Sequence, residues 1–97
     1  MAAHNPPHPG EFLTAVYLGP NGLSARELAA TLDASASTLR RILKGQSGIS
    51  PDMALRLSKA LGRSPESWLA LQSRHGLWQA KQRVKLGRVG RVQLTAV

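Results

Sequence analysis

The stretch from Leu23 to Gly45, LSARELAATLDASASTLRRILKG, decides the fold. Ser24 followed by Glu27 forms a capping box: the Ser hydroxyl accepts from the Glu27 N–H, and the Glu carboxylate reaches back to the Ser24 N–H. Leu23 before the cap and Leu28 inside the helix make a hydrophobic staple. Leu28, Ala29 and Leu32 then follow at helical spacing. Asp33-Ala34 begins a turn, Ser35 is the next N-cap, and Leu39, Ile42 and Leu43 make a second apolar stripe. Gly45 closes that helix as a residue that tolerates positive φ. Two short helices joined at a steep angle by a turn of about 3 or 4 residues form a helix-turn-helix unit, whose second helix is sized for the major groove.

If Leu39, Ile42 and Leu43 face inward, then Ala36, Ser37, Arg40, Arg41 and Lys44 face out. Three of these five are cationic, and no acid lies between Asp33 and Asp52. Arginine can read a guanine O6/N7 edge with two hydrogen bonds, whereas contacts to phosphate oxygens position a helix without reading sequence. The spacing therefore turns a cationic face outward, toward a polyanionic partner. The N–H groups at the Ser24 and Ser35 helix starts complete the set, because helix N-termini attract anions.

Composition agrees. Ninety-seven residues allow one domain with a modest core. The net charge of +8 favours polyanionic partners, nucleic acid first. With no cysteine, disulfides and Cys-based zinc sites are excluded, and the chain fits a reducing cytosol. No apolar run approaches the roughly 20 residues of a membrane span. The polar, Pro-rich start is no signal peptide.

Taken in order, residues 1–8 read as a flexible arm, because Pro6 and Pro7 forbid regular helix. His4 and His8 in it read as solvated, not as a metal pair. The domain proper spans 9–82. Its first helix starts at Pro9 and runs to about Leu18, burying Phe12, Leu13, Val16 and Tyr17, and Gly19-Pro20-Asn21-Gly22 breaks it. After the helix-turn-helix unit, Gln46-Ser47-Gly48 is a loop. The fourth helix is capped by Ser50, opened by Pro51 and closed by Gly62. It buries Met53, Ala54, Leu57, Ala60 and Leu61 and turns Arg56, Ser58 and Lys59 to water. The fifth opens at Ser64-Pro65-Glu66 and places Trp68, Leu71, His75 and Trp78 on one face, extended by Leu69, Leu77 and Ala80. Gly76 is its weak point. Residues 83–97 form a basic tail, in which Val92, Leu94 and Ala96 alternate with Gln93, Thr95 and Val97 as a thin strand signal.

Trp68 and Met53 read as core. Trp78 lies late in the last helix, where a small core runs out, and an exposed aromatic of that kind is a usual interface anchor. Leu77 and Lys81 flank it. Catalysis has no support: of five acids, Glu11, Glu27 and Glu66 sit in first turns where capping explains them. There is no phosphate loop and no His beside a nucleophile. No cofactor, metal or small-molecule substrate is implied.

HNPPHPGEFL at 4–13, LSARELA at 23–29, ASASTLRRILKG at 34–45, GISPDMALRLSKALGRSPESWLALQ at 48–72 and LWQAKQ at 77–82 together closely resemble HigA-type (VapI-like) antitoxins of the Xre/Cro helix-turn-helix class. The ISPDMALRL and SPESWLALQ blocks are the more specific part. The resemblance implies an all-α, five-helix, lambda-repressor-like domain. It implies a homodimer on an inverted-repeat operator in double-stranded DNA, and a HigB-type, RelE-like RNA-cleaving toxin as partner. The family's base-reading positions fall on Ala36, Ser37 and Arg41, and its phosphate contacts near Ser24, Ala25, Arg26, Arg40, Lys44 and Gln46. Ala36 and Ser37 depart from the longer polar side chains of many relatives, offering only a methyl contact or one hydroxyl, so by the resemblance base specificity leans on Arg41, with Arg40 shared between base and phosphate. His75-Gly76 also departs, standing where relatives often carry an aromatic and an acid. Leu77, Trp78 and Lys81 are candidates for a dimer or toxin contact. Three readings stay open: an autorepressing antitoxin, a stand-alone repressor of the same fold, and a basic RNA-binding module.

Overall fold

The structure, a computed structural model, describes residues 5–95. Five helices are found among them and no strand. The first, α1, has three contiguous parts: Pro9–Leu13 is α-helical, Thr14–Leu18 is a π-helix, and Gly19–Asn21 is α-helical again. Then come α2 (Ala25–Thr31), α3 (Ala36–Leu43), α4 (Pro51–Leu61) and α5 (Pro65–Arg83).

Local sequence explains most boundaries. Ser24, Ser35, Ser50 and Ser64 each accept a hydrogen bond from the backbone N–H three residues on, at 3.0–3.1 Å. Three helices end in a left-handed residue whose flanking N–H groups turn back onto the last carbonyls. These residues are Gly22 (φ 58°), Asp33 (φ 53°) and Gly45 (φ 76°).

Helix α1 corrects two expectations. It runs on through Pro20 to Asn21 and does not stop near Leu18. A proline ring conflicts with the carbonyl four residues back in a regular α-helix. The wider π turn removes that conflict, and the Gly19 N–H reaches the Thr14 carbonyl five residues back. The same turn rotates the buried face. Leu13 and Leu18, five apart, are buried, Phe12 and Tyr17 are half-buried, and Val16 is exposed.

The N-terminal arm is corrected as well over its described part; His4 lies outside the described residues. His8 is buried and caps α1, its Nδ1 accepting from the Gly10 N–H at 2.8 Å. Its own N–H donates to the Glu11 carboxylate at 3.2 Å. The His75 ring stands edge-on at 5.1 Å, and His75 Nδ1 lies 3.0 Å from the Pro6 carbonyl. Residues 6–8 are thus docked on α5. Burial holds the His8 imidazole below its usual pKa, with the neighbouring His75 acting in the same direction. A hydrogen bond to the Ser47 backbone and the Glu11 charge oppose this only in part.

Trp68 is the centre of the core. It is fully buried, its Nε1 donates to the Gly62 carbonyl at 3.0 Å, and Phe12 stands edge-on at 5.9 Å. Around it gather Leu28, Leu32, Leu39, Ile42, Met53, Leu57 and Leu71. Ala60 and Leu61 are half-buried against that core. Helix α5 does not end or break at Gly76 but continues to Arg83. Its Leu77 turns away from the apolar face and is 58% exposed. Residues 84–95 form no strand, since no sheet edge exists among the described residues for them to pair with. Ala96 and Val97 lie outside the described residues.

Candidate nucleic-acid interface

Helix α3 is eight residues long and presents two contrasting faces. Leu39 and Ile42 are buried, and Leu43 packs half-buried beside them. At 3.6 residues per turn, Ser37, Arg41 and Lys44 fall on the ridge opposite Leu39, with Thr38 and Arg40 flanking it. All five are exposed. Ala36 departs from its expected outward position: it is half-buried against the core, because the helix start leans on it. Its methyl is therefore only partly presented.

The ridge is held from both ends. At its start, Ser35 Oγ accepts from the Thr38 N–H at 3.0 Å and donates to Thr38 Oγ1 at 2.8 Å. The Ser35 hydroxyl is spent on the cap, so what this helix start offers an anion is the N–H groups of Ala36 and Ser37, with no acid in the first turn. At its end, α1 closes onto α3. A Cβ on Gly10 would lie 2.1 Å from the Ile42 carbonyl oxygen, so only glycine permits this approach. The loop after α3 is tied down by Gln72, whose Oε1 accepts from the Ile49 N–H at 3.0 Å. The Gln46 N–H donates to the Arg41 carbonyl at 2.8 Å, which leaves the Gln46 side chain exposed at the loop.

Ser24, Arg26 and Ala25 sit at the start of α2, the first two exposed and Ala25 half-buried. Here the capping box is complete in both directions, at 2.9 and 3.1 Å. The Ser24 N–H is therefore occupied by the Glu27 carboxylate. Hydrogen bonds from the Ser24 backbone and hydroxyl hold that carboxylate below its usual pKa, so it stays charged. An acid at this position lessens the attraction of α2's start for phosphate, and leaves α3's start as the stronger anion site.

Thr38 escaped the sequence reading. Its exposed hydroxyl lies on the outer side of α3, and the Ser35-x-x-Thr38 spacing was its signal. Arg56 was assigned to water, but its guanidinium reaches back to the turn between α2 and α3, donating from Nη1 to the Leu32 carbonyl at 3.0 Å and to the Asp33 carbonyl. At the far end of α5, Trp78 is half-buried and its Nε1 is shielded without a hydrogen-bond partner. With Leu77 and Lys81 it lines a groove against Pro6, Pro7 and Arg74. That groove is apart from the α3 ridge in sequence and rests on a different helix.

A family model described as Helix-turn-helix matches residues 17–68, which spans α2, α3 and α4. Virulence-associated protein I of Dichelobacter nodosus is 45% identical over 75 residues, covering 77% of this chain and 69% of that protein. The structure of Pseudomonas aeruginosa antitoxin HigA with the higBA promoter is similar at a TM-score of 0.76 and 40% identity, covering 79% of this chain and 84% of that one. The chain belongs to the HigA-type helix-turn-helix family. The antitoxin GraA in complex with its operator matches this HigA-type chain at a TM-score of 0.85 and 38% identity, covering 97% of this chain and 98% of that one. The likeness therefore extends into the basic tail, where the sequence alone carried little family signal. No helix among the described residues is long and apolar enough to cross a membrane.

Proposed function

We propose that this HigA-type chain is the antitoxin of a type II toxin–antitoxin pair. In this reading it binds operator DNA as a homodimer, represses its own operon, and neutralises a HigB/RelE-like RNA-cleaving toxin in the cytoplasm. The observation that carries the DNA-binding part is the cationic ridge of α3, exposed opposite a fully buried Leu39 on a helix held at both ends. Relatives of known structure with promoter or operator DNA support it.

Each side chain then has a role. Arg41 reads a guanine edge, worth about 1–3 kcal/mol of discrimination. Ser37 offers one hydroxyl beside it, and Ala36 a partial methyl contact. Lys44, Arg40, Arg26 and Gln46 hold phosphates, joined by the N–H groups behind Ser35. One such helix is a small footprint. A two-fold dimer would set two of them about 34 Å apart on one DNA face, which requires an inverted repeat. The Leu77, Trp78 and Lys81 surface is assigned to a protein contact, dimer or toxin, because Leu77 stands exposed beside a groove lined by the Trp78 ring and Lys81. No role in catalysis is assigned to any residue.

The stand-alone repressor is the competing reading, and co-expression decides between them. The reading frame adjacent to this gene should arrest growth when expressed alone. Expressed with this chain, it should permit growth and co-purify with it. A neighbouring product that is harmless alone and fails to co-purify would leave a repressor without a toxin.

A further inference from the structure

We propose that Arg56 is a positioning residue for DNA recognition: its guanidinium ties the turn between α2 and α3 to α4, and so sets the direction in which α3 projects. The inference rests on the DNA-binding reading above and deepens it.

Arg56 lies on α4, outside the helix-turn-helix hairpin. Its Nη1 donates to two turn carbonyls, Leu32 at 3.0 Å and Asp33. Its Nε pairs with Asp52 Oδ1 at 2.9 Å. The Arg56 side chain is 39% and the Asp52 side chain 75% exposed, and ion pairs this open add little stability. What Asp52 does is aim the guanidinium at the turn.

The turn needs such a hold. Leu32 is the C-cap of α2, and carbonyls there lack helical partners and carry the negative end of the helix dipole. Asp33 is left-handed at φ 53°, a conformation that a residue other than glycine keeps only when its surroundings fix it. The Asp33 and Ala34 N–H groups are tied to the Ala30 and Ala29 carbonyls at 3.2 and 3.0 Å, and Arg56 engages the carbonyl side of the same turn. A planar guanidinium with donors in a fixed fork sets an orientation, whereas a lysine ammonium would supply only charge.

The turn is also the lever for α3. An eight-residue helix is about 12 Å long, so a tilt of about 10° at the turn moves its far end by about 2 Å. Arg41 and Lys44 sit near that end. A displacement of that size exceeds the tolerance of a hydrogen bond to a base edge.

The test uses the full chain with Arg56→Lys. Binding is titrated across a salt series on a duplex of the DNA immediately upstream of its own reading frame, and on a scrambled duplex of equal length. Arg56→Lys keeps the charge, so the affinity for scrambled DNA and its salt slope are expected to stay at wild-type values. Affinity for the upstream duplex is expected to fall at least about tenfold, the loss of one well-placed base contact. Amide exchange at Asp33 and Ala34 is expected to accelerate. Leu71→Ala, which loosens the core at a distance from the turn, is expected to keep the ratio of upstream to scrambled affinity. If Arg56→Lys keeps that ratio while the wild type discriminates, Arg56 has no positioning role. The same holds if Leu71→Ala lowers the ratio equally. A wild type that does not discriminate at all would instead overturn the DNA-binding reading, and the role of Arg56 with it.

Discussion

Trp68→Ala is expected to lower the free energy of unfolding by about 3–5 kcal/mol. The indole is fully buried and contacts both ends of the chain's helical order: Phe12 and Tyr17 on α1 lie at centroid distances of 5.9 and 5.8 Å. Truncation removes that apolar area, leaves a cavity, and strips the Gly62 carbonyl of its 3.0 Å donor at the join between α4 and α5. The Arg63 guanidinium, 5.4 Å from the indole and 4.9 Å from the Phe12 ring, loses one of its two aromatic faces. Domains of this size have stabilities on the order of 5–15 kcal/mol, so the variant keeps a small fraction of its margin. Urea unfolding followed by circular dichroism reads the effect as a lowered midpoint with an unchanged slope. A loss below about 1 kcal/mol, the level of a surface substitution, would mean that Trp68 is not the centre of the core.

Gly10→Ala is expected to destabilise by about 1–3 kcal/mol, a large effect for adding one methyl group. The cause is close approach of backbone to backbone, not helix propensity, which favours alanine. The new Cβ would lie 2.1 Å from the Ile42 oxygen, 2.8 Å from the Leu43 Cα and 2.9 Å from the Ile42 carbon. None of these atoms belongs to a side chain that can rotate away, so α1 or the end of α3 must move. The same shift would carry the Arg41 end of α3 with it, so weaker binding to upstream DNA should accompany the lost stability. Thermal unfolding checks the first effect. A melting temperature equal to or above wild type would show that α1 does not press on α3 this closely.

What was legible in the sequence was whatever is settled within a few residues. Serine caps at 24, 35, 50 and 64, the glycines at 22, 45 and 62, and the apolar stripe of α3 all follow from local rules, and the outer face of α3 follows from the stripe. What was not legible depends on contacts distant in the chain. His8 looked like part of a loose arm because histidine is a poor cap in isolation; burial against the His75 ring makes it one. The buried face of α1 was misplaced because a π turn adds a residue, and periodicity of 3.6 cannot register it. Arg56 was sent to solvent by its position on α4, when its partners are turn carbonyls 23 and 24 residues away. Ala36 leans inward for a similar reason, since the first turn of α3 packs on the core.

Whether the α3 ridge reads duplex bases is decided by comparing Arg41→Ala with Lys44→Ala on upstream and scrambled duplexes across a salt series. Arg41→Ala should weaken binding to the upstream duplex by about 1–3 kcal/mol and leave binding to the scrambled duplex nearly intact. Lys44→Ala should weaken both about equally and lower the salt slope by roughly one unit. Equal losses for the two variants on every duplex would mean that Arg41 does not read bases and that the α3 ridge binds DNA by charge alone.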